Sequence, residues 1–558
     1  MTESPDDLLT ATLASPESTR VGSRSRPIAA TIPPLFTGVV ALVALASIAF
    51  GRYWIRGGYL IDDWANLTYT SAPGSGLTTA FHVAAKVSGY RPVGAFYRVI
   101  EWKVLGNHVE LHLMWAAALA VGASLMIALS LRALRVPVIH AWMIGALILV
   151  YPFSDSTRLW PSASFYSLNL MVGLVGFVVA LHGLRATTRS SAVRFHVLAL
   201  ALYVTAVFFS EGIAPLILCA SLGYAYVAGV GSALKRAPWD LVVVAAAVSI
   251  GVASNTTQTV VKRGAAVHHA RSLLTGAGDL LIHSIVPLGS GSSGTDPSIY
   301  GISLGRVALV LAAAGVVAIL TLLRVRRQVL PGFAMAAGAC LVWIFAAYVV
   351  YVPAIEWYHP LLPGIGNRLN TLAAVGMAGL AYTWLVLIAY AICQLISGAH
   401  RQQFVRATRV ASCVVALALG IGYTDVLRGH ESIWIGEYSH EQQLVTEIHH
   451  LGSAWHGQTV YVSFGSNVNP VFVMGWDING AMLFYHGGEF RYVTVVPYGT
   501  GLRCDATSVQ LALPGMAVQR SSQYGSAVFV NAERHELTPI RDRAACDQMA
   551  GIDSGAVT

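Results

Sequence analysis

Long apolar runs separated by short polar links set the pattern of this chain. Runs approaching or exceeding the roughly 20 residues that cross a bilayer core lie near 34–51, 110–131, 137–153, 165–184, 195–210, 212–230, 239–255, 305–323, 332–352, 368–396 and 409–425. They predict about eleven transmembrane helices. Ahead of them, residues 1–31 are polar and Ser/Thr-rich, the pattern of a disordered tail. The first apolar run is long enough to remain as a span rather than be removed as a leader. After the last run the pattern changes. Leu444, Val445, Ile448 and Leu451 recur at helical spacing over 439–451, with Glu441 in the first turn. Short β-like runs follow at 459–464, 492–496 and 527–530. The expected fold is therefore an all-α polytopic membrane domain over 32–425, with long loops at 52–109 and 256–304. A small α/β domain over 426–558 follows it.

Composition supports that reading. Of 558 residues, 55% are apolar and only 11% charged, and mean hydropathy is +0.61. A soluble protein of this size needs more charge to cover its surface. The net charge of +8 is distributed in a way that excludes a nucleic-acid partner. Basic residues cluster in alternate short links: Arg132 and Arg135; Arg185, Arg189 and Arg194; Lys235 and Arg236; Arg324, Arg326 and Arg327; Arg401, Arg406 and Arg409. Arg20, Arg24 and Arg26 precede the first span. Such clusters mark cytoplasmic loops. They predict a cell-membrane protein with a cytoplasmic N-terminus, an external loop at 52–109 and an extracytoplasmic C-terminal domain. Cys219, Cys340, Cys393 and Cys413 fall in spans. Cys504 and Cys546 lie in the external tail, where an oxidising compartment would let them pair. Gly289–Gly294 is a flexible Gly/Ser stretch.

The polar residues that could do chemistry fall on one side of the membrane in this topology. The first long loop opens Gly58-Tyr59-Leu60-Ile61-Asp62-Asp63-Trp64 and continues to Tyr90-Arg91-Pro92. The next external link reads Tyr151-Pro152-Phe153-Ser154-Asp155-Ser156-Thr157-Arg158-Leu159-Trp160-Pro161, and a later one Ser210-Glu211-Gly212-Ile213. Ionisable groups at a membrane edge are expensive, and a pair of them suggests a task.

An acidic pair after the first span, an Arg-Pro before the second, a Pro-containing loop after the third and a Glu-Gly-Ile after the fifth give a resemblance. The chain is similar over about residues 34–230 to the GT-C superfamily of membrane glycosyltransferases that use polyprenyl-phosphate sugars. Within it the chain resembles the tetratricopeptide-repeat O-mannosyltransferases, without the repeats. The resemblance implies that Asp62 or Asp63 acts as general base on an acceptor hydroxyl and that transfer inverts the anomeric centre. It implies cations beside the departing phosphate. Arg91, Arg158 and Arg368 are the candidates, because a guanidinium stays charged and matches phosphate oxygens. Neighbouring arginines would lower the aspartates' pKa. Trp64, Trp160, Glu211 and His359 are candidate substrate contacts. The aromatics are read more readily as a membrane-interface belt, and Glu211 alternatively as a helix terminus. No cofactor is certain. Asp62 and Asp63 could hold a divalent cation, Mg or Mn.

The expected partners are a polyprenyl-phosphate-linked sugar and a glycan, glycolipid or protein of the cell envelope. Arginine far outnumbers lysine, a bias common in high-GC bacterial genomes. Besides a catalytically silent scaffold whose external domain binds partners, two other readings stay open. One is an O-antigen-type polymerase or ligase, for which Lys262, Arg263, His268, His269 and Arg271 would serve. The other is a transporter or flippase of lipid-linked sugars, disfavoured because the charges sit at span ends and no inverted repeat is visible.

Overall fold

The computed structural model describes residues 32–71, 76–88, 91–254, 263–287, 298–299, 302–352, 360–397, 401–450, 458–463, 471, 475–486, 492–496, 502–511, 520–531, 534 and 536–553. His359, Leu451 and the Gly289–Gly294 stretch lie outside them.

Helix α1 (Ile32–Arg56) is followed by three shorter helices, α2 (Asp63–Ser71), α3 (Leu77–Ser88) and α4 (Pro92–Leu105). The long loop of 52–109 is thus largely helical. Next come α5 (Val109–Ala133), α6 (Val138–Leu149), α7 (Phe165–Arg185), α8 (Arg189–Phe209), α9 (Ala214–Ala228) and α10 (Val230–Ser254). The membrane part is completed by α11 (Arg263–Ile285), α12 (Leu304–Val325), α13 (Leu330–Val349), α14 (Asn370–Ser397) and α15 (Arg401–His450).

Among the described residues nine helical segments are long and apolar enough to cross a membrane, which makes this a multi-pass membrane protein. The other two expected runs coincide with α6, apolar but only 12 residues long, and α10, which takes in Lys235, Arg236 and Asp240. On α12 and α13 large apolar side chains face outward, among them Leu309, Val310 and Phe345, each about 70% exposed. Only a lipid environment accommodates that. Helices α5, α7 and α14 form the centre: α7 packs between α5 and α8, and α14 between α13 and α15.

Two stretches differ from the sequence expectation. The 256–304 loop contains the 23-residue helix α11, which packs on α14 and buries Leu273 and Leu280. Its interleaved His, Arg and Asp residues had masked a continuous helix. Helix α15 runs 50 residues through position 425 without interruption, about 75 Å at 1.5 Å per residue. That exceeds twice the bilayer core, so its second half stands clear of the membrane.

There the C-terminal region assembles. Strands β1 (Thr459–Ser463), β2 (Tyr492–Val496), β6 (Ala527–Asn531) and β7 (Glu536–Pro539) form one sheet in the order β2-β1-β6-β7. The first two pairings are parallel and the last antiparallel. An antiparallel sheet of β3 (Leu502–Cys504), β4 (Ser508–Leu511) and β5 (Arg520–Gln523) lies beside it. Helix α16 (Gly475–His486) and helix α17 (Arg543–Asp553) complete this α/β unit. Cys504 is disulfide-bonded to Cys546, with Cα atoms 5.8 Å apart.

The α/β unit shares a core with the first long loop. Tyr59, Trp64, Leu67 and Trp102 pack with Leu444, Val445 and Ile448 of α15, Ile478, Ala481 and Met482 of α16, and strand residues Val460 and Val528. Apolar burial across this seam makes the C-terminal region a wall of the membrane domain's loop face.

Candidate active site

The acidic pair sits on a strained turn. Ile61 has φ +70°, a left-handed conformation that is costly for a β-branched residue and found where the surroundings over-determine the backbone. The turn places Asp62 just before α2 and Asp63 at its first position. Asp63 is fully buried. Its Oδ2 accepts the Leu60 N–H at 3.0 Å. Its Oδ1 accepts the Ser162 N–H at 2.9 Å and the Ser162 hydroxyl. The same hydroxyl accepts Asn66 Nδ2 at 2.6 Å. Burial pushes the Asp63 carboxyl up to about 8, assisted by Asp62 and opposed by the Ser162 and Leu60 donors. The arginines expected to hold it low are elsewhere. Asp62 is half-buried.

Asp63 therefore fastens the first loop to Ser162, at one end of the loop between α6 and α7. The other end of that loop is fastened to the α14 entrance. Asp155, fully buried, accepts Asn367 Nδ2 and Trp434 Nε1, the latter at 2.7 Å. Its Oδ2 is 3.6 Å from His430 Nδ1. Asn370 donates to the carbonyls of Phe153 at 2.7 Å and Pro360 at 2.9 Å. Between these two asparagines stands Arg368, half-buried, with its guanidinium in no hydrogen bond or ion pair among the described residues.

Arg158 is engaged at the end of α6. It is buried, and its guanidinium donates to the carbonyls of Ile148 at 2.8 Å, Leu149 at 3.0 Å and Tyr151, and to Ser154 Oγ at 3.0 Å. Those carbonyls are the open C-terminal end of α6, where a cation is favourable. Beneath the guanidinium lies a cavity of about 30 Å³ lined in part by Ser124, Thr157, Ser167 and Thr371, large enough for water and too small for a sugar. Asp62 and Arg368 do not line it.

Arg91 and Glu211 meet. The guanidinium grips the carboxylate with Nε–Oε2 at 2.8 Å and Nη2–Oε1 at 2.6 Å, a two-pronged charge-assisted pair. Glu211 thereby neutralises the guanidinium expected to meet phosphate. The Tyr351 phenol is pushed up by burial, with Tyr166 and Glu211 adding to the rise and the charges of Arg91 and Arg368 opposing it. Gly212 lets this approach happen: a Cβ there would sit 3.1 Å from the Tyr351 hydroxyl.

Trp64 and Trp160 are 1% and 3% exposed. Trp64 makes an edge contact with Tyr59 at 5.0 Å and packs on Tyr485 at 5.0 Å, so both indoles are packing residues rather than open stacking faces. Among the described residues no group of three or more His, Cys, Asp or Glu is arranged to hold a metal ion.

Sequence reasoning passed over Asp155, Ser162, Asn367 and Asp477. Asp155 lies in a link already singled out, Ser162 directly follows that link, and Asn367 adjoins Arg368. Asp477, whose Oδ1 accepts the Trp64 N–H at 2.9 Å, is 413 residues from its partner and gives no local signal.

No protein-family model matches the chain, and no curated protein matches it. Two solved structures with similarity to it are ArnT from Cupriavidus metallidurans in the apo state and bound to undecaprenyl phosphate. The first has a TM-score of 0.41 at 12% identity, covering 83% of this chain and 86% of that one. The second has a TM-score of 0.38 at 14% identity, covering 82% and 89%.

Proposed function

We propose that this protein is a GT-C-type glycosyltransferase that moves a sugar from a polyprenyl-phosphate donor to a cell-envelope glycan, glycolipid or protein on the extracytoplasmic face. The observation that carries the reading is the 151–164 loop. One end of it holds the acidic turn through Asp63–Ser162, and the other holds the Arg368 segment through Asp155–Asn367. The Asp62 carboxylate and the Arg368 guanidinium are thereby mounted on one scaffold.

The two aspartates then divide the work. Both oxygens of Asp63 are occupied and the group is dry, so it anchors. Asp62, half-buried, is the base. Its carboxylate takes the proton of the acceptor hydroxyl, and the oxygen forms a bond to the anomeric carbon. The bond from that carbon to the phosphate oxygen breaks, and polyprenyl phosphate leaves with the electron pair. Attack opposite the leaving group inverts the centre. Arg368 faces the charge that grows on the departing phosphate, where a preorganised cation is most effective. Arg91, neutralised by Glu211, shapes the Tyr351 side of the site rather than carrying net charge to the lipid.

The test is to offer purified protein in liposomes a panel of lipid-linked sugars with envelope extract as acceptor. The reading expects transfer from at least one polyprenyl-phosphate sugar, lost in Asp62→Asn and weakened in donor KM by Arg368→Ala. Transfer from nucleotide sugars alone, or none from any lipid-linked donor, would overturn it.

A further inference from the structure

Two carboxyl groups are sealed in the seam between the C-terminal region and α2. Asp477, on the first turn of α16, caps α2 from a distance. Its Oδ1 accepts the Trp64 N–H at 2.9 Å, one of the donors at a helix start that have no acceptor within the helix. Its Oδ2 has no hydrogen-bond partner among the described residues. Glu441 of α15 lies beside it, and neither of its carboxyl oxygens has one. Both residues are 0% exposed. Neither is in an ion pair among the described residues; His440 turns to Glu437 instead, at 3.9 Å.

The surroundings supply further acids rather than a counter-charge. The groups facing the pair are Asp62 and Asp63 from the turn and α2, Glu437 and Tyr438 from α15, with His440 behind Glu437, and Tyr485 from α16. Of these, only His440 can carry positive charge. The seam is also closely packed. A Cβ on Gly480, one turn further along α16, would lie 2.6 Å from the Trp64 carbonyl carbon and 2.7 Å from the Ala65 nitrogen. The Thr68 hydroxyl donates to the Gly480 carbonyl at 3.1 Å, so backbone rests on backbone. An ionised carboxylate is strongly disfavoured in such a place without a cation or a full set of donors, and it keeps its proton instead. Burial, with the charges of Asp63 and Asp62, accordingly pushes the Asp477 carboxyl well above the ordinary carboxylate range.

We infer that the seam is a proton-operated clasp: the C-terminal region docks on α2 with Asp477 and Glu441 holding at least one proton between them, and it loosens when that proton is lost. Opening the seam hydrates both carboxyls, which then ionise as ordinary acids, and two like charges oppose reclosing. The sign follows. The docked form binds more protons than the open form, so docking is undiminished below the ordinary Asp value of 3.8. It weakens as pH rises from there and levels off once the docked acid also ionises. Each proton held by the docked form alone lowers the docking constant about 10-fold per pH unit. Trp64 stands in the first turn of α2, directly after the acidic pair, so the clasp ties the setting of that turn to the pH around the C-terminal region. The inference does not depend on which aspartate is the base.

Hydrogen exchange of the full chain in nanodiscs, corrected for the intrinsic pH dependence of amide exchange, reads docking without any turnover. From pH 5 to pH 8, protection over residues 63–71 and 475–486 should fall on the order of 10-fold per pH unit, while α7 keeps its protection. The double variant Asp477→Asn, Glu441→Gln is neutral at every pH and retains an oxygen for the Trp64 N–H. It should lose most of that fall and stay docked at pH 8. Glu441→Gln alone, which leaves the Trp64 cap untouched, should lessen the fall and carries the comparison should the double variant not fold. Constant protection in the parent across this range would overturn the inference, and that measurement needs no variant. An equal fall in the variants would also overturn it, by assigning the proton to another group. A fall shared by α7 would do the same, by reporting general unfolding in place of undocking.

Discussion

Replacing Gly480 by alanine tests the seam between α16 and α2 directly. The new methyl would stand 2.6 Å from the Trp64 carbonyl carbon, 2.7 Å from the Ala65 nitrogen and 2.8 Å from the Trp64 oxygen. Carbon atoms pack at about 3.5–4.0 Å, so α16 must withdraw by roughly 1 Å. Overpacking of a core costs about 1–3 kcal/mol, and the upper end applies because the atoms met are backbone, which cannot turn aside. Alanine's better helix propensity offsets about 1 kcal/mol of that. The net expectation is a loss of about 2 kcal/mol in the docking of the C-terminal region. Withdrawal also stretches the Asp477 cap, and misplacement by about 1 Å near a reacting group can lower the rate about 100-fold. Tryptophan fluorescence during thermal unfolding in nanodiscs reads the first effect, because Trp64 lies in the seam. Sugar transfer reads the second. Gly436→Ala, with nothing within 4 Å of its Cβ, is the control and should be neutral or slightly stabilising. If Gly480→Ala unfolds and turns over like the parent, the packing argument is wrong.

Asp155→Ala should loosen Asn367 and Trp434 together, at a cost of about 2–4 kcal/mol for orphaned buried partners, and raise donor KM through Arg368. A melt and a donor titration check both, and an unchanged KM contradicts the link. Reducing Cys504–Cys546, a bridge across 42 residues, should destabilise the α/β unit by up to about 4 kcal/mol on the chain-entropy estimate. Melts with and without reductant decide it. The pH dependence follows from Asp63, whose carboxyl burial raises from an ordinary value near 3.8 to about 8. Below the ordinary value both folded and unfolded chains hold the proton. Between the two values only the folded state does, so stability declines as pH rises toward 8 and levels off above. The melting midpoint should fall from pH 5 to pH 8, and Asp63→Asn should flatten that fall. Identical slopes would refute the assignment.

The membrane part was readable because twenty apolar residues in a row have few alternatives. The strands at 459–463, 492–496 and 527–531 were readable from their β-branched composition, and the Asp62/Asp63 turn stood out because charge beside a span is rare. Other features hide for physical reasons. An arginine near a span end serves equally as anchor, ligand or helix cap, and only the carbonyls around Arg158 reveal the last. Helix α15 crosses the composition change at 425 because no proline interrupts residues 401–450, while the shift from apolar to amphipathic residues mimics a boundary. The Asp477 cap joins positions 413 apart, and nothing near either position announces it.

Single-turnover transfer by Asp62→Asn, measured beside donor binding in the same preparation, tests the central claim most directly. Loss of a general base should slow the chemical step about 100- to 10,000-fold while a polyprenyl-phosphate sugar still binds as it does to the parent. Transfer within a factor of two of the parent rate, with binding intact, would contradict the account.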